Sequence, residues 1–438
     1  MNPLLHTRRE FLATGLKGCS LLAATGFVPA FLTRTAAAAG AAKDSRILVV
    51  LQLSGGNDGL NTLVPYTDDL YYKARPTIGL KAGELLKVND QLGLHPAWRA
   101  MKEEYDNGHM AVVQNVGYPN PDRSHFRSME IFHTGSDNTQ KHEVNGWVGR
   151  YFDAQCKGVD PKLRAELGTL GLNFGKVMPQ SFRNASNVGI ALDNPDTFLW
   201  NPSGETIGLA KAQEAIFARL NKPQAGAMSN MRRSMESLGG ITPDQPGAID
   251  FLKHTAMNAV VAGDRIREIL GKTRDATPYP QSGLAQQFKM IGKLIEGDFP
   301  TRVYYAHQGG YDTHQQQLGG HGRLLAEVAE SVQAFFKDLR HQKNSEKVVV
   351  LAFSEFGRRV GENGSAGTDH GAAAPMFVFG EKIKGGIHGE LPDLKNLDDG
   401  DLRHKIDFRQ VYAGILDGWL GTAPEGVLGG KYEKIPVV

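Results

Sequence analysis

The chain has 438 residues, 41% of them hydrophobic, and 49 basic against 47 acidic residues leave a formal net charge of +2. A charge this balanced excludes a protein that holds nucleic acid by bulk electrostatics, and no nucleic-acid partner is expected. Two cysteines, Cys19 and Cys156, exclude a disulfide-framework fold and a cysteine-based zinc site.

The N-terminus carries Thr7-Arg8-Arg9-Glu10-Phe11-Leu12, which resembles the twin-arginine export consensus. The apolar stretch that follows, Leu21 to Leu32, is too short and too rich in Ala and Gly to make a good membrane span. The tract Ala36 to Ala42 then offers small-residue cleavage sites. Residues 1–42 are therefore expected to be a twin-arginine signal peptide, with residues 43–438 working in the periplasm or secreted. Lys17 argues against lipid attachment at Cys19. Loss of Arg8, Arg9, Glu10, Lys17 and Arg34 removes a net three positive charges, taking the formal charge from +2 to −1. Cys156 then stands alone, and no later segment is apolar enough to remain in a membrane. The remaining stretch is long enough for one large α/β domain with insertions, or for two domains.

In chain order, Arg46 to Leu53 is a short continuous apolar run ending at Ser54-Gly55-Gly56, the pattern of a strand buried on both faces. Pro96 to Tyr105 reads as a helix. Further strand-like runs occur at Met110 to Val116, Thr301 to Tyr305, Val348 to Phe353 and Met376 to Phe379. A helix is expected from His125 to Phe132, and another over Leu324 to Leu339 with its apolar stripe at Leu324, Leu325, Val328, Val332, Phe335 and Phe336. Alternating strands and helices predict an α/β fold with a doubly wound, mostly parallel sheet in three layers. From about 205 to 295 the pattern is helical and strand-poor, with helices at Leu209 to Leu220, Ala248 to Leu270 and Leu284 to Ile295, and it reads as a helical insertion or cap.

Functional residues of open α/β sheets sit just beyond the carboxyl ends of strands. Four such places carry suitable chemistry. Gly55-Gly56-Asn57-Asp58-Gly59 follows the first strand; it lacks phosphate-loop spacing, and its carboxylate suits a metal better than a bare phosphate. A solvated Asp in a tight turn is the alternative. Asp122-Arg123-Ser124-His125-Phe126 puts Ser124 at a helix N-cap, where it serves either as a simple cap or as a hydroxyl nucleophile. Arg123 and Arg127 are candidates to grip anionic oxygens. Gly309-Gly310-Tyr311-Asp312-Thr313-His314 offers Asp312 and His314 to one cation, with His307 and His321 as spare candidates. Gly367-Thr368-Asp369-His370-Gly371 places Asp and His side by side among small residues. Glu355, in Ser354-Glu355-Phe356-Gly357-Arg358, is either an extra ligand, a supporting base, or an ion-pair partner of Arg358 or Arg359.

The order Asp, Ser, Asp/His, Asp/His at successive strand ends resembles the alkaline phosphatase superfamily, which includes phosphatases, phosphodiesterases and sulfatases. Within it the chain resembles the twin-arginine-exported branch known as domain-of-unknown-function family 1501. The resemblance covers nearly all of the mature chain. It implies an alkaline-phosphatase-like fold and two divalent metal ions (Zn, Mn, Mg or Ca). One would be held by Asp58, Ser124, Asp369 and His370, the other by Asp312, a nearby His and a third His. His314 and His388 are the candidates, although Asp312 and His314 are more closely spaced than the resemblance implies. The implied reaction is hydrolysis of a phosphate, or conceivably a sulfate, ester by Ser124, with Arg123 or Arg127 on a non-bridging oxygen. The substrate would be a small molecule or an envelope component. Formylglycine chemistry is set aside, because neither Ser124 nor Cys156 has the required Pro downstream. The alternative is a catalytically silent protein of the same fold that binds a metal, an envelope component or a periplasmic protein partner.

Overall fold

The computed structural model describes residues 46–138, 143–157, 170–175, 177–184, 189–192, 262–273 and 277–438. The expected signal peptide and most of the expected insertion, including Leu209 to Leu220, lie outside the described residues. All described residues belong to one compact unit within Arg46–Val438. The chain runs β1 (Ile47–Leu53), α1 (Gly59–Thr62), β2 (Leu63–Val64), α2 (Asp69–Ala74), β3 (Leu86–Lys87), β4 (Gly93–Leu94), α3 (Arg99–Asp106), β5 (Met110–Gly117), α4 (His125–Thr134) and α5 (Trp147–Gln155). It continues through β6 (Gly171–Asn173), β7 (Gly189–Ala191), α6 (Gly283–Glu296), β8 (Val303–Gln308), α7 (Gln317–Gln342), β9 (Val348–Phe353), β10 (Ala374–Phe379), β11 (Gly386–His388), β12 (Ile406–Asp407) and α8 (Phe408–Gly414).

Nine strands form the main sheet in the order β11-β5-β10-β9-β1-β8-β6-β7, with β12 also pairing β5. Every pair is parallel except those made by β10, which runs antiparallel to both β9 and β5. The expected mostly parallel α/β sheet is present. Strands β2, β3 and β4 make a separate small sheet.

Alternate residues of β1 go to opposite faces, as the pleat requires. Val49, Leu51 and Leu53 join a core built with α3, α6 and α7, through Met101, Phe288, Ile291, Val328, Val332 and Phe335. Leu48 and Val50 join the opposite core with α4, α5 and α8, through Phe132, Trp147, Tyr151, Val411 and Tyr412. Burial on both faces is why β1 reads as an unbroken apolar run rather than an alternating one. Helix α6 packs against β8 and α7 within the helical layer over the sheet.

The registers fix where the loops emerge. Leu53 pairs with Gln308 and Gln52 with Phe353, so β1, β8 and β9 end flush at one edge. Because β10 is antiparallel, its start at Ala374 lies on that same edge. The segment leading into it, with Asp369 and His370, is thereby delivered beside the loops that follow β1, β8 and β9.

Candidate metal centre

Four side chains from three loops converge at this edge. His370 Nε2 and His314 Nε2 each lie 3.0 Å from Asp312 Oδ1 and 3.0 Å from one another. His125 Nε2 lies 3.5 Å from the same oxygen. His125, Asp312 and His370 form the one group of three potential ligands found close enough to share an ion among the described residues. His314 adds a fourth.

The outer nitrogen of each imidazole faces an acceptor. His125 Nδ1 is 2.8 Å from Glu355 Oε1, His314 Nδ1 is 3.0 Å from Asp369 Oδ1, and His370 Nδ1 is 2.8 Å from the Arg123 carbonyl oxygen. Carboxylate and carbonyl oxygens only accept, so each neutral ring carries its proton on Nδ1 and presents an Nε2 lone pair inward. Two such lone pairs 3.0 Å apart, on His314 and His370, repel unless a positive charge lies between them. His125 Nε2 is buried without a hydrogen-bond partner. A cation with ligands at ~2.0–2.1 Å has tetrahedral edges of roughly 3.3 Å, close to these separations. The donor set therefore fits a metal ion.

Local structure explains the positions. His125 is the first residue of α4, so its ring lies at the strand-end edge while the rest of the helix runs back over the sheet. Glu355 directly follows β9 by one residue and is buried; besides His125 it accepts from Gly55 N at 2.8 Å. Arg358, equally buried, ties the loops together. Its guanidinium donates to Gly56 O at 2.8 Å, Thr368 O at 2.9 Å, Tyr311 O at 3.0 Å and Asp312 Oδ1 at 2.7 Å, and also to Gly55 O. Gly55 has φ +120°, and a Cβ there would stand 2.5 Å from Asp312 N. Only glycine lets the first loop approach the third so closely.

Burial would raise the Asp312 carboxyl, but the hydrogen bond and positive charge of Arg358 outweigh it and hold the carboxyl at about 2. Asp369 is held below the ordinary carboxylate range by hydrogen bonds from Asn363 and His314. The cluster is open on one side: the side chains of His314, Asp312 and Asp369 are 43, 48 and 54% exposed.

The expected site residues are distributed differently from the sequence reading. Asp312 and His314, assigned to one metal, and His370, assigned to the other, meet at a single centre. Asp369 stands behind His314 as its acceptor. Asp58 is not in the cluster. It caps α1 and is buried, and its carboxylate takes Arg75 Nη1 at 2.6 Å, Asn61 N at 3.2 Å and Gln317 Nε2. Burial alone would raise the Asp58 pKa; Arg75 reverses this and lowers it. His388 lies on β11, paired opposite Val113 of β5, with its Nε2 2.8 Å from Lys384 O, and does not join the centre.

Ser124 precedes α4 and is exposed, and its hydroxyl does not cap the helix. The neighbouring His125 is what enters the cluster. His125 carries no expected role from the sequence; its signal there is a histidine one residue past the expected N-cap. The guanidinium of Arg123 is paired with Asp399 and Asp401, at 3.2 and 2.7 Å. That of Arg127 donates to Glu130 at 2.8 Å and to Asn138 O at 3.2 Å. Neither is turned to the cluster. Glu355 proves to support His125 rather than to pair with Arg358 or Arg359. The spare candidate His321 is buried against Asn57 Oδ1, at 2.9 Å, and His307 stays exposed on β8.

A cavity of about 430 Å³ opens beside the centre, between the end of β1 and α4, and His125, Asp312 and Glu355 form part of its wall.

The chain is similar to several solved structures at low level. One is an alkaline phosphatase superfamily protein from Vibrio parahaemolyticus, at 10% identity and TM-score 0.34, with 80% of this chain and 64% of that one covered. Another is the lipoteichoic acid synthase LtaP from Listeria monocytogenes, at 9% identity and TM-score 0.28, with 80 and 67% covered. A third is the alkaline phosphatase from the Antarctic bacterium TAB5, at 13% identity and TM-score 0.28, with 76 and 92% covered. The chain thus spans just under two thirds of the length of the first of these. No curated protein matches it. The model of the family described as "Protein of unknown function (DUF1501)" matches residues 45–419, and the chain belongs to that family.

Proposed function

We propose that the protein is a metal-dependent hydrolase of phosphate or sulfate esters, exported by the twin-arginine route, and that it works at the centre formed by His125, Asp312, His314 and His370. The observation that carries this reading is the convergence of three Nε2 atoms and Asp312 Oδ1, each imidazole being fixed by an acceptor behind it. Three nitrogens and one carboxylate favour zinc, manganese or another transition ion over Mg²⁺ or Ca²⁺, which prefer all-oxygen sites. A metal bound there would supply Lewis-acid polarisation of an ester oxygen.

The chain's own residues prepare the site. Glu355, Asp369 and the Arg123 carbonyl hold the ring orientations and tautomers. Arg358 keeps Asp312 ionised and in place. Ser124, one residue from His125, is the proposed nucleophile: its oxygen bonds to the ester phosphorus or sulfur as the alcohol leaves, and water then releases the anion. The four residues make one centre, so we propose one metal per chain.

A second reading, a catalytically silent metal-binding protein, is favoured by the commitment of Arg123 and Arg127 to ion pairs elsewhere. Activity of the metal-loaded chain on p-nitrophenyl phosphate and p-nitrophenyl sulfate separates the two. Turnover that is lost in Ser124→Ala, with metal content retained, supports the hydrolase. Metal uptake without turnover of either ester supports the silent protein, and full activity in Ser124→Ala removes the nucleophile assignment.

A further inference from the structure

The cavity beside the centre has a composition that points to what it holds. Its floor and walls come from Gln52 and Ser54 at the end of β1, from Phe126, Glu130 and His133 on α4, and from Gln180. Its volume of about 430 Å³ falls within the ~300–1,000 Å³ typical of small-ligand sites.

Among the described residues, no lysine or arginine lines the cavity. Two wall carboxylates are each backed by a guanidinium: Arg127 bonds Glu130 at 2.8 Å, and Arg358 bonds Asp312 at 2.7 Å. An entering anion would therefore meet Glu130 or Asp312 before either cation. His133 offers no positive charge at neutral pH, because burial lowers its pKa to about 4. A metal at the centre would be engaged by the ester head, leaving the rest of the substrate to this wall.

The polar groups are arranged for neutral partners. Gln52 Oε1 accepts from the Tyr305 hydroxyl and lies 3.1 Å from His133 Nε2. With its oxygen engaged below, Gln52 has its amide nitrogen left to donate into the cavity. The Ser54 hydroxyl both donates and accepts, and the Gln180 amide oxygen accepts, its nitrogen being given to Glu143 O at 3.4 Å. Phe126, also in the wall, is 90% exposed and offers an apolar face. An aromatic face together with two amides and a hydroxyl suits a ring with hydroxyls on its edge and C–H bonds on its face.

We propose that this cavity is the pocket for the alcohol side of the substrate and that it selects a neutral, hydroxylated ring, a hexose unit, over the same ring bearing a carboxylate. The inference rests on the hydrolase reading for the identity of the ester head, but binding in the cavity is measured without turnover.

The test compares methyl α-D-glucoside with methyl α-D-glucuronide, binding to the metal-loaded full chain, by saturation-transfer NMR titration. The glucoside is expected to bind at least tenfold more tightly. Phe126→Ala and Gln52→Leu should each weaken it severalfold with metal content unchanged, and Glu130→Gln should narrow the gap to the glucuronide. Equal or tighter binding of the glucuronide, absence of glucoside binding, or indifference to both Phe126→Ala and Gln52→Leu overturns the pocket assignment. A chain that hydrolyses aryl esters yet gives one of those results loses the pocket and keeps the hydrolase. A chain that prefers the glucoside but takes up no metal keeps the pocket and loses the hydrolase.

Discussion

Each histidine of the centre is restrained at the nitrogen that faces away from it. Removing the charge behind His125 or His314 leaves the ligand present but less basic and less firmly oriented. Glu355→Gln and Asp369→Asn should each lower metal affinity about 10–100-fold, read by competition with a chromophoric chelator. Unchanged affinity in both would mean that the carboxylates play no part in holding the ligands. Arg358 is the other residue whose loss should be felt. Its truncation strands the carbonyls of Gly55, Gly56, Tyr311 and Thr368 and leaves Asp312 without its cation. Arg358→Met should cost about 3 kcal/mol or more in urea unfolding. Lysine should not rescue it, because a single ammonium cannot reach the spread of acceptors served by a planar fork. At this scale the sequence made residue types legible, and Asp312, His314 and His370 were all singled out. It did not distinguish Asp58 from a ligand. Both readings need an aspartate after a strand, and only the fold brings Arg75 and Gln317 onto it.

The elements account for most of what was readable and for what was not. The long apolar runs of β1, β5, β8, β9 and β10 and the periodic stripes of α6 and α7 are strong local signals, and their expected extents differ from the observed ones by a few residues at most for the strands. Helix α7 begins earlier than its apolar stripe, at Gln317, because its first turns face the loops that support the centre. Strands β6, β7, β11 and β12 have two or three residues each, too few for a period to show. The direction of β10 was not legible either, and it is this direction that brings Asp369 and His370 to the edge where β1, β8 and β9 end. Close loop approach at that edge makes a further prediction. Gly55→Ala would set a Cβ 2.5 Å from Asp312 N at a φ of +120°, so it should displace Asp312. Metal content should fall while the far-UV circular dichroism of the helices stays near that of the parent. A variant that binds metal normally would show that the first loop does not position the third.

At the scale of the whole molecule, the sheet is covered on both faces and buried histidines, His133 and His321 among them, are sealed in as neutral groups. His133 and His321 are pulled by burial from 6.5 to about 4. The unfolded chain takes up these protons near pH 6.5, whereas the folded chain resists until about pH 4. Their effect on stability is therefore absent above about pH 6.5 and becomes a growing loss as the pH falls towards 4. The urea midpoint should drop between pH 7 and pH 5, and His321→Gln should flatten part of that dependence. A midpoint independent of pH over this range would mean that the two histidines are protonated in the folded state.

The most direct measurement of the central claim is metal stoichiometry by elemental analysis of the full chain, after loading with zinc or manganese and exhaustive dialysis. One ion per chain is expected, lost in His125→Asn and in His370→Asn and retained in His388→Gln. Two ions per chain, or one that survives the loss of His125 and disappears with His388, would contradict it.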